Sequence, residues 1–296
     1  MTTTLFLQSE VQDPYKVYKT MHREAPVYWD HSANLWAIYS YEACKAVLGN
    51  PIAQIPAVST DGLNEYASLI AGKLARINNG AGHEIARQTA IFLFAKMKTI
   101  SIAGAVKELM EKEDKSQAID WVNKVSRKLP VTVILKSFGF DETDSAFISG
   151  NMDDLIKIML PNKTKEQIAV TNVLSKEIYT VSEKHFLKAE FHKSLARGLS
   201  EKYKMTEEEV ASYCVTNLIG LLIQSYDAGR GVLSNSLLQI FNREDLVPNH
   251  INKEYLQKHV VETLRFDPPV HNTRRIAASA ITIDNHEIKK GQPIRF

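Results

Sequence analysis

The segment MTEEEVASYCVTNLIGLLIQSYDAGRGVLSNSLLQIFNRED, residues 205–245, limits what this chain can become. It opens on Thr206-x-x-Glu209, the pattern in which a hydroxyl and a carboxylate cap each other's backbone groups at a helix start. It then stays apolar for about thirty residues, with glycine only at 220, 229 and 231. A helix this long and this apolar is expected to run through the centre of the fold, with other elements packed around it. Its one polar island is Gln224-Ser225-Tyr226-Asp227-Ala228-Gly229-Arg230. A carboxylate inside a buried helix is costly unless paired or solvated. Asp227 therefore either pairs with Arg230 at i+3 or borders a wet cavity, and spacing leaves both open.

The flanking sequence supplies the surrounding elements. DPYKVYKTMHREAP predicts an amphipathic helix stopped by Pro26. VYWD (27–30) and LWAIYS (35–40) predict a hairpin turned by HSAN, followed by a short helix over 41–49 and a loop over 52–65. Residues 84–112 are helical with an interruption near Ser101 to Gly104, and the charged strip 107–117 reads as a solvated helix end. Several helices fill 120–200, divided at Pro130, at GFDETD and at LPNKTKEQ, where Thr164 and Gln167 form a second capping box. A last helix enters near Asn252 and closes before Pro268. ITIDNHEIKKGQPIRF then reads as two short strands. With no repeat or linker, residues 1–296 are expected to form a single, mainly α domain with a small β-sheet region.

Composition excludes more than it suggests. A net charge of +2 without a basic block points to neither nucleic acid nor an anionic membrane. No apolar run approaches the roughly 18 to 20 residues of a bilayer span, and the N-terminus carries no cationic leader pattern. The two cysteines, Cys44 and Cys214, form no C-x-x-C, so a disulfide framework and a cysteine zinc site are unsupported, and a cytoplasmic setting is expected. Motifs for nucleotide binding, zinc proteolysis and serine hydrolysis are absent from the sequence. His185 and His192, two turns apart if on one helix, are too far apart to share a metal ion, and no metal position is expected.

Two pairs carry candidate chemistry. Glu262 and Arg265 share a helix face at i and i+3. They form either a surface ion pair or, given Val260, Val261, Leu264 and Phe266 around them, a desolvated pair needing further partners. His83 and Arg87, at i and i+4 near a helix start, either lie on an exposed first turn or present two donors to an anionic group such as a carboxylate.

In their order these segments resemble the cytochrome P-450 superfamily of haem-thiolate monooxygenases, in its soluble bacterial form. DPYKVYKTMHREAPVYWD and LWAIYSYEACKAVLGNP are similar to the family's first helix, hairpin and second helix. His83-Glu84-Ile85-Ala86-Arg87 matches the H-x-x-x-R helix, with Phe94 further on, and Glu262-Thr263-Leu264-Arg265 matches E-x-x-R. PPVHNTRRIA matches the segment that follows. The resemblance implies haem b, with His83, Arg87 and Arg275 on its propionates. It implies Glu262 and Arg265 as a structural motif below the haem, and Asp227 as a proton relay. A hydrophobic small-molecule substrate and a ferredoxin-type redox partner are implied with them.

Two departures stand out. The family's cysteine iron ligand lies in a loop downstream of E-x-x-R, and the sequence in hand stops at Phe296 before it. Neither Cys44 nor Cys214 matches that position, so the resemblance implies a C-terminally incomplete domain, inactive as this truncated chain. The family's Thr after the acid is Ala228 here, and its small-residue pair is Gln224 and Ser225. The resemblance therefore implies either a monooxygenase hydroxylating a hydrophobic molecule with dioxygen or a haem-less scaffold that stabilises or recruits a biosynthetic enzyme.

Overall fold

The structure, a computed structural model, describes residues 11–111, 118–243 and 252–296. The far end of the charged strip, 112–117, lies outside the described residues. Backbone contacts sort the chain into two units, Met1–Ala57 with Asn272–Phe296, and Val58–His271.

The first unit holds α1 (Pro14–Glu24), a hairpin of β1 (Val27–Asp30) and β2 (Leu35–Ile38), α2 (Tyr41–Gly49) and β3 (Ala53–Gln54). Its C-terminal part adds β4 (Arg274–Ala277), β5 (Ile281–Ile283), β6 (His286–Ile288) and β7 (Pro293–Arg295). The main sheet runs β1-β2-β7-β4-β3, with β2 and β7 parallel and the other neighbours antiparallel. In the β1–β2 turn Asn34 takes φ +52°, and Asp284 and Asn285, at +47° and +63°, make the β5–β6 turn. Asn and Asp tolerate this left-handed backbone, which matches the twist of a tight hairpin. The two strands expected in the last segment are three, and RRIA adds a fourth. β5 and β6 pair with each other, whereas β4 and β7 pair with β3 and β2, far away in sequence, so local alternation underestimates them.

The second unit is helical. It contains α3 (Glu65–Lys73), a tight turn at Ala75–Ile77, α4 (Gly80–Ala95) and α5 (Ile102–Met110). After a wide turn at Val122–Ser126 come α6 (Leu129–Ser137), α7 (Glu142–Gly150) and α8 (Met152–Leu155), which tightens through Met159. The unit continues with α9 (Lys165–Lys188), α10 (His192–Tyr203), α11 (Glu207–Phe241) and α12 (Lys253–Phe266). Both capping boxes form, Thr164 with Gln167 and Thr206 with Glu209. His185 ends α9 and His192 begins α10, so the two histidines do not share a helix as their spacing suggested.

The central element is α11. Cys214 through Gly220, with Leu222, Ile223 and Tyr226, are buried, and α3, α4, α6, α9, α10 and α12 pack along its length. Three glycines permit close approach. A Cβ at Gly220 would stand 2.9 Å from Leu74, at Gly229 2.8 Å from Pro130, and at Gly231 2.4 Å from Pro269 Cβ and 3.1 Å from its Cα. Asn217, also buried, turns its amide outward to the 73–77 turn. Its Oδ1 accepts from the Ala75 N–H at 3.1 Å, and its Nδ2 donates to the Lys73 carbonyl at 3.0 Å.

Of the two alternatives for Glu262 and Arg265, the surface ion pair holds and the desolvated one does not. Arg265 clasps Glu262 through two bonds, Nε to Oε2 at 2.8 Å and Nη2 to Oε1 at 2.6 Å, but the side chains are 69% and 55% exposed. The cause is the facing of α12. His259 and Thr263, four residues apart, turn toward α11, where His259 Nε2 lies 3.0 Å from the Ser236 carbonyl and the Thr263 hydroxyl donates to Gln239 at 3.3 Å. Helical rotation then places Arg265, Val261 and Leu264 away from that contact, and all three are exposed.

A polar clasp joins α7 to the end of α9. His185, buried and stacked on Phe140 at 4.1 Å, meets Asp144 through Nε2 at 2.7 Å, and Lys184 pairs with the same carboxylate. Asp144, Asp141 and His185 bring candidate ligand atoms within 4.8 Å of one another, a cluster that helical spacing could not show. The Lys184 ammonium already supplies a positive charge there, 3.5 Å from Asp141. Burial pushes the Asp144 carboxyl up, but the hydrogen bonds from Lys184 and His185 outweigh it and hold the group below its ordinary range.

Two outcomes follow from this packing. Gly231→Ala is expected to lower stability by about 1–3 kcal/mol through overpacking against Pro269. Gly198→Ala, in α10 with nothing within 4 Å, is expected to raise it by up to about 1 kcal/mol; paired denaturant titrations read both. For the clasp, a folded-state pKa below the unfolded value means the ionised form stabilises the fold. That contribution is complete above the ordinary Asp pKa of about 3.9 and is lost as pH falls through the lower folded value. Asp144→Asn is therefore expected to lower Tm at pH 7 and to flatten the acid-side fall in Tm, measured by calorimetry.

Candidate functional site

Around Tyr226, α11 passes from a largely buried stretch to partial exposure, and Asp227 is the first charged group at that boundary. It borders a hollow of about 430 Å³ in the helical unit. Ile77 from the turn before α4, and Ile156, Met159 and Leu160 from the tight turn after α8, give it apolar walls. Arg76, Asp153, Lys157 and Asp227 supply its charges.

Both halves of the alternative left open for Asp227 hold at once. Its Oδ1 accepts from Arg230 Nη2 at 2.9 Å, and its side chain is 45% exposed along the hollow. The polar island is thus a solvated helix segment with an internal ion pair, and the expected cost of burying this acid does not arise. Ala228 brings no hydroxyl, Ser225 donates to the Leu222 carbonyl at 3.0 Å, and Gln224 is half-buried.

Sequence reading missed the network beside Asp227. Tyr226 donates its hydroxyl hydrogen to Asp153 Oδ1 at 2.7 Å, while Arg127 donates through Nε to the Tyr226 oxygen at 2.6 Å and through Nη2 to Asp153 Oδ1 at 2.6 Å. Burial pushes the Asp153 carboxyl up, yet the bonds from Tyr226 and Arg127 hold it below its ordinary range. Burial likewise pushes the Tyr226 phenol up. The three residues come from separate segments, so no local pattern joins them. A tyrosine beside an acid in an apolar helix was the only available signal.

The helix α4 holds the expected donor pair. His83 Nδ1 lies 2.7 Å from the Ala75 carbonyl, in the turn that Asn217 braces. A carbonyl only accepts, so Nδ1 carries a hydrogen, and Nε2 donates only when the ring holds both protons. Arg87, one turn on, is exposed and has neither a hydrogen bond nor an ion pair among the described residues. A carboxylate arriving on this face meets one open guanidinium and one imidazole already oriented by the Ala75 carbonyl.

Arg275 lies on β4 in the other unit. Its Nη1 donates to the Arg274 carbonyl at 2.8 Å and to Thr273 Oγ1 at 3.2 Å, and its guanidinium stands 5.8 Å from the Phe296 ring centre. Burial holds it below the ordinary arginine range.

The donor chemistry of His83 and Arg87 in the helical unit suits a carboxylate such as a haem propionate, and so, in the other unit, does that of Arg275. The thiols do not fit haem iron. Burial pushes the Cys214 thiol up to about 12 and also raises that of Cys44, whose sulfur points to the Ile38 carbonyl at 3.8 Å. A thiol raised by apolar burial stays protonated and is a poor ligand.

No protein-family model matches the sequence. Among curated proteins, the biotin biosynthesis cytochrome P450 of Bacillus subtilis is 22% identical over 299 residues, covering 96% of this chain and 74% of the relative. Cytochrome P450 119 of Sulfolobus acidocaldarius is 22% identical, covering 95% and 76%. Among solved structures, P450BioI in complex with acyl carrier protein ligated to hexadec-9Z-enoic acid matches with a TM-score of 0.75 at 20% identity, covering 98% of this chain and 78% of that one. CalO2 matches at 0.77 and 19%, covering 96% and 74%. Among the described residues, no helix is long and apolar enough to cross a membrane. The capped central helix, the H-x-x-x-R helix α4 and the E-x-x-R helix α12 occur here within the fold of these cytochrome P450s, to which the chain is similar over almost its whole length.

Proposed function

We propose that this chain is the substrate- and haem-binding body of a monooxygenase that hydroxylates a hydrophobic small molecule with dioxygen, using electrons from a ferredoxin-type donor. The carrying observation is the open donor pair on α4, with Arg87 unpartnered among the described residues and His83 oriented through its other nitrogen. Haem, when bound, supplies the dioxygen-activating redox chemistry. Arg87 and His83 would hold one haem propionate, and Arg275 is the residue that the resemblance implies for the other. Asp227, solvated at the hollow and anchored by Arg230, carries protons between water and the interior of the site. With Ala228 beside it, an ordered water or a substrate hydroxyl takes the position of the missing side-chain hydroxyl. Tyr226, Arg127 and Asp153 fix α8 against α11 and so set the width of the hollow. Its apolar walls favour a substrate with little polar surface. The two cysteines offer no thiolate, so no step is assigned to them.

Titration with haemin tests the reading. The chain is expected to take up one equivalent, and Arg87→Gln is expected to weaken uptake about tenfold through loss of a charge-assisted bond. Failure of stoichiometric uptake, or an Arg87→Gln chain that binds as well as the parent, overturns it. The reduced carbon monoxide complex of the 296-residue chain is expected to lack the thiolate-type Soret position, because neither Cys44 nor Cys214 is poised to ionise.

A further inference from the structure

The charges around the hollow are unequal in one respect. Lys157 pairs with Asp154, Asp153 with Arg127 and Tyr226, and Asp227 with Arg230. Arg76 alone among the four charged lining residues has neither a hydrogen bond nor an ion pair among the described residues. It sits on the Ala75–Ile77 turn, whose backbone is fixed by Asn217, so its Cα is rigidly placed although its side chain is exposed.

We propose that the hollow selects an amphipathic carboxylic acid, whose carboxylate pairs with Arg76 and whose hydrocarbon body lies against Ile77, Ile156, Met159 and Leu160. The inference rests on reading this hollow as the substrate site, and names the substrate class. Three physical arguments converge on it. A guanidinium matches a carboxylate through two parallel hydrogen bonds. An uncharged hydrocarbon filling the hollow would strip water from Arg76 and give nothing back, which penalises it relative to the acid. The carboxylates of Asp153 and Asp227 repel an anion, so the acid group is held at the Arg76 side and the hydrocarbon is presented toward Asp227. At about 430 Å³ the hollow lies within the range of small-molecule sites, roughly 300–1,000 Å³.

Isothermal titration calorimetry of the chain without haem, using decanoate and decan-1-ol at pH 8, tests the assignment. Decanoate is expected to bind about tenfold tighter than the alcohol, the size of one charge-assisted contact. Arg76→Gln is expected to erase that preference, Arg76→Lys to retain part of it, and Lys157→Gln to leave it intact. Equal affinities in the parent chain overturn the proposal. So do binding of neither ligand, a preference that survives Arg76→Gln, and one that disappears instead with Lys157→Gln. Haem uptake is read by its own spectrum, so a chain that takes up no haem yet prefers the acid through Arg76 refutes the haem reading and leaves this one standing.

Discussion

The structure depends on the desolvation of one helix. From Cys214 to Ile223, α11 keeps almost no contact with water, so the rare polar atoms on it must find partners in the protein. Asn217 does so by binding the 73–77 turn, which in turn gives the Ala75 carbonyl to His83. A single buried amide thereby links the core to the orientation of the first candidate haem contact and to the placement of Arg76. Packing sets the rest. Gly220, Gly229 and Gly231 let Leu74, Pro130 and Pro269 approach the helix axis, tying the end of α3, the start of α6 and the segment just after α12 to one rod.

Where that desolvation stops, chemistry becomes possible. Tyr226 is the last buried residue before the half-exposed stretch, and its hydroxyl is satisfied by Arg127 and Asp153 rather than by water. One position later Asp227 is solvated and paired. The step from a satisfied phenol to a wet carboxylate within two residues marks the wall of the hollow. A carboxylate placed four residues earlier, at the buried position of Ile223, would be without water, and its ionised form would be too costly to keep.

Much of this was legible in the sequence because the signals are local. Capping boxes at Thr164 and Thr206, the proline stops and the hairpin turn act over three or four residues, and each formed where the sequence indicated. Facing was harder to read. Apolar neighbours around Glu262 and Arg265 implied burial, but whether α12 turns that side inward depends on the distant Ser236 and Gln239, which engage His259 and Thr263 instead. The same limit hid the Tyr226, Arg127 and Asp153 triangle and the Asp141, Asp144 and His185 cluster, whose members meet only after the helices pack. The strands β3 and β4 escaped for a related reason, being short segments that pair across more than two hundred residues.

The candidate site shows the same division between local and distant information. The spacing of His83 and Arg87 predicts that they share a face, yet it cannot say that His83 spends one nitrogen on Ala75 while Arg87 spends none. That asymmetry changes the chemistry of the pair. Arg87 keeps its whole guanidinium fork for an arriving anion, whereas His83 already engages the Ala75 carbonyl through Nδ1 and has only Nε2 left. The site therefore combines one open guanidinium fork with one ring fixed in orientation, and the carboxylate that arrives is expected to be held chiefly by Arg87 and aligned by His83.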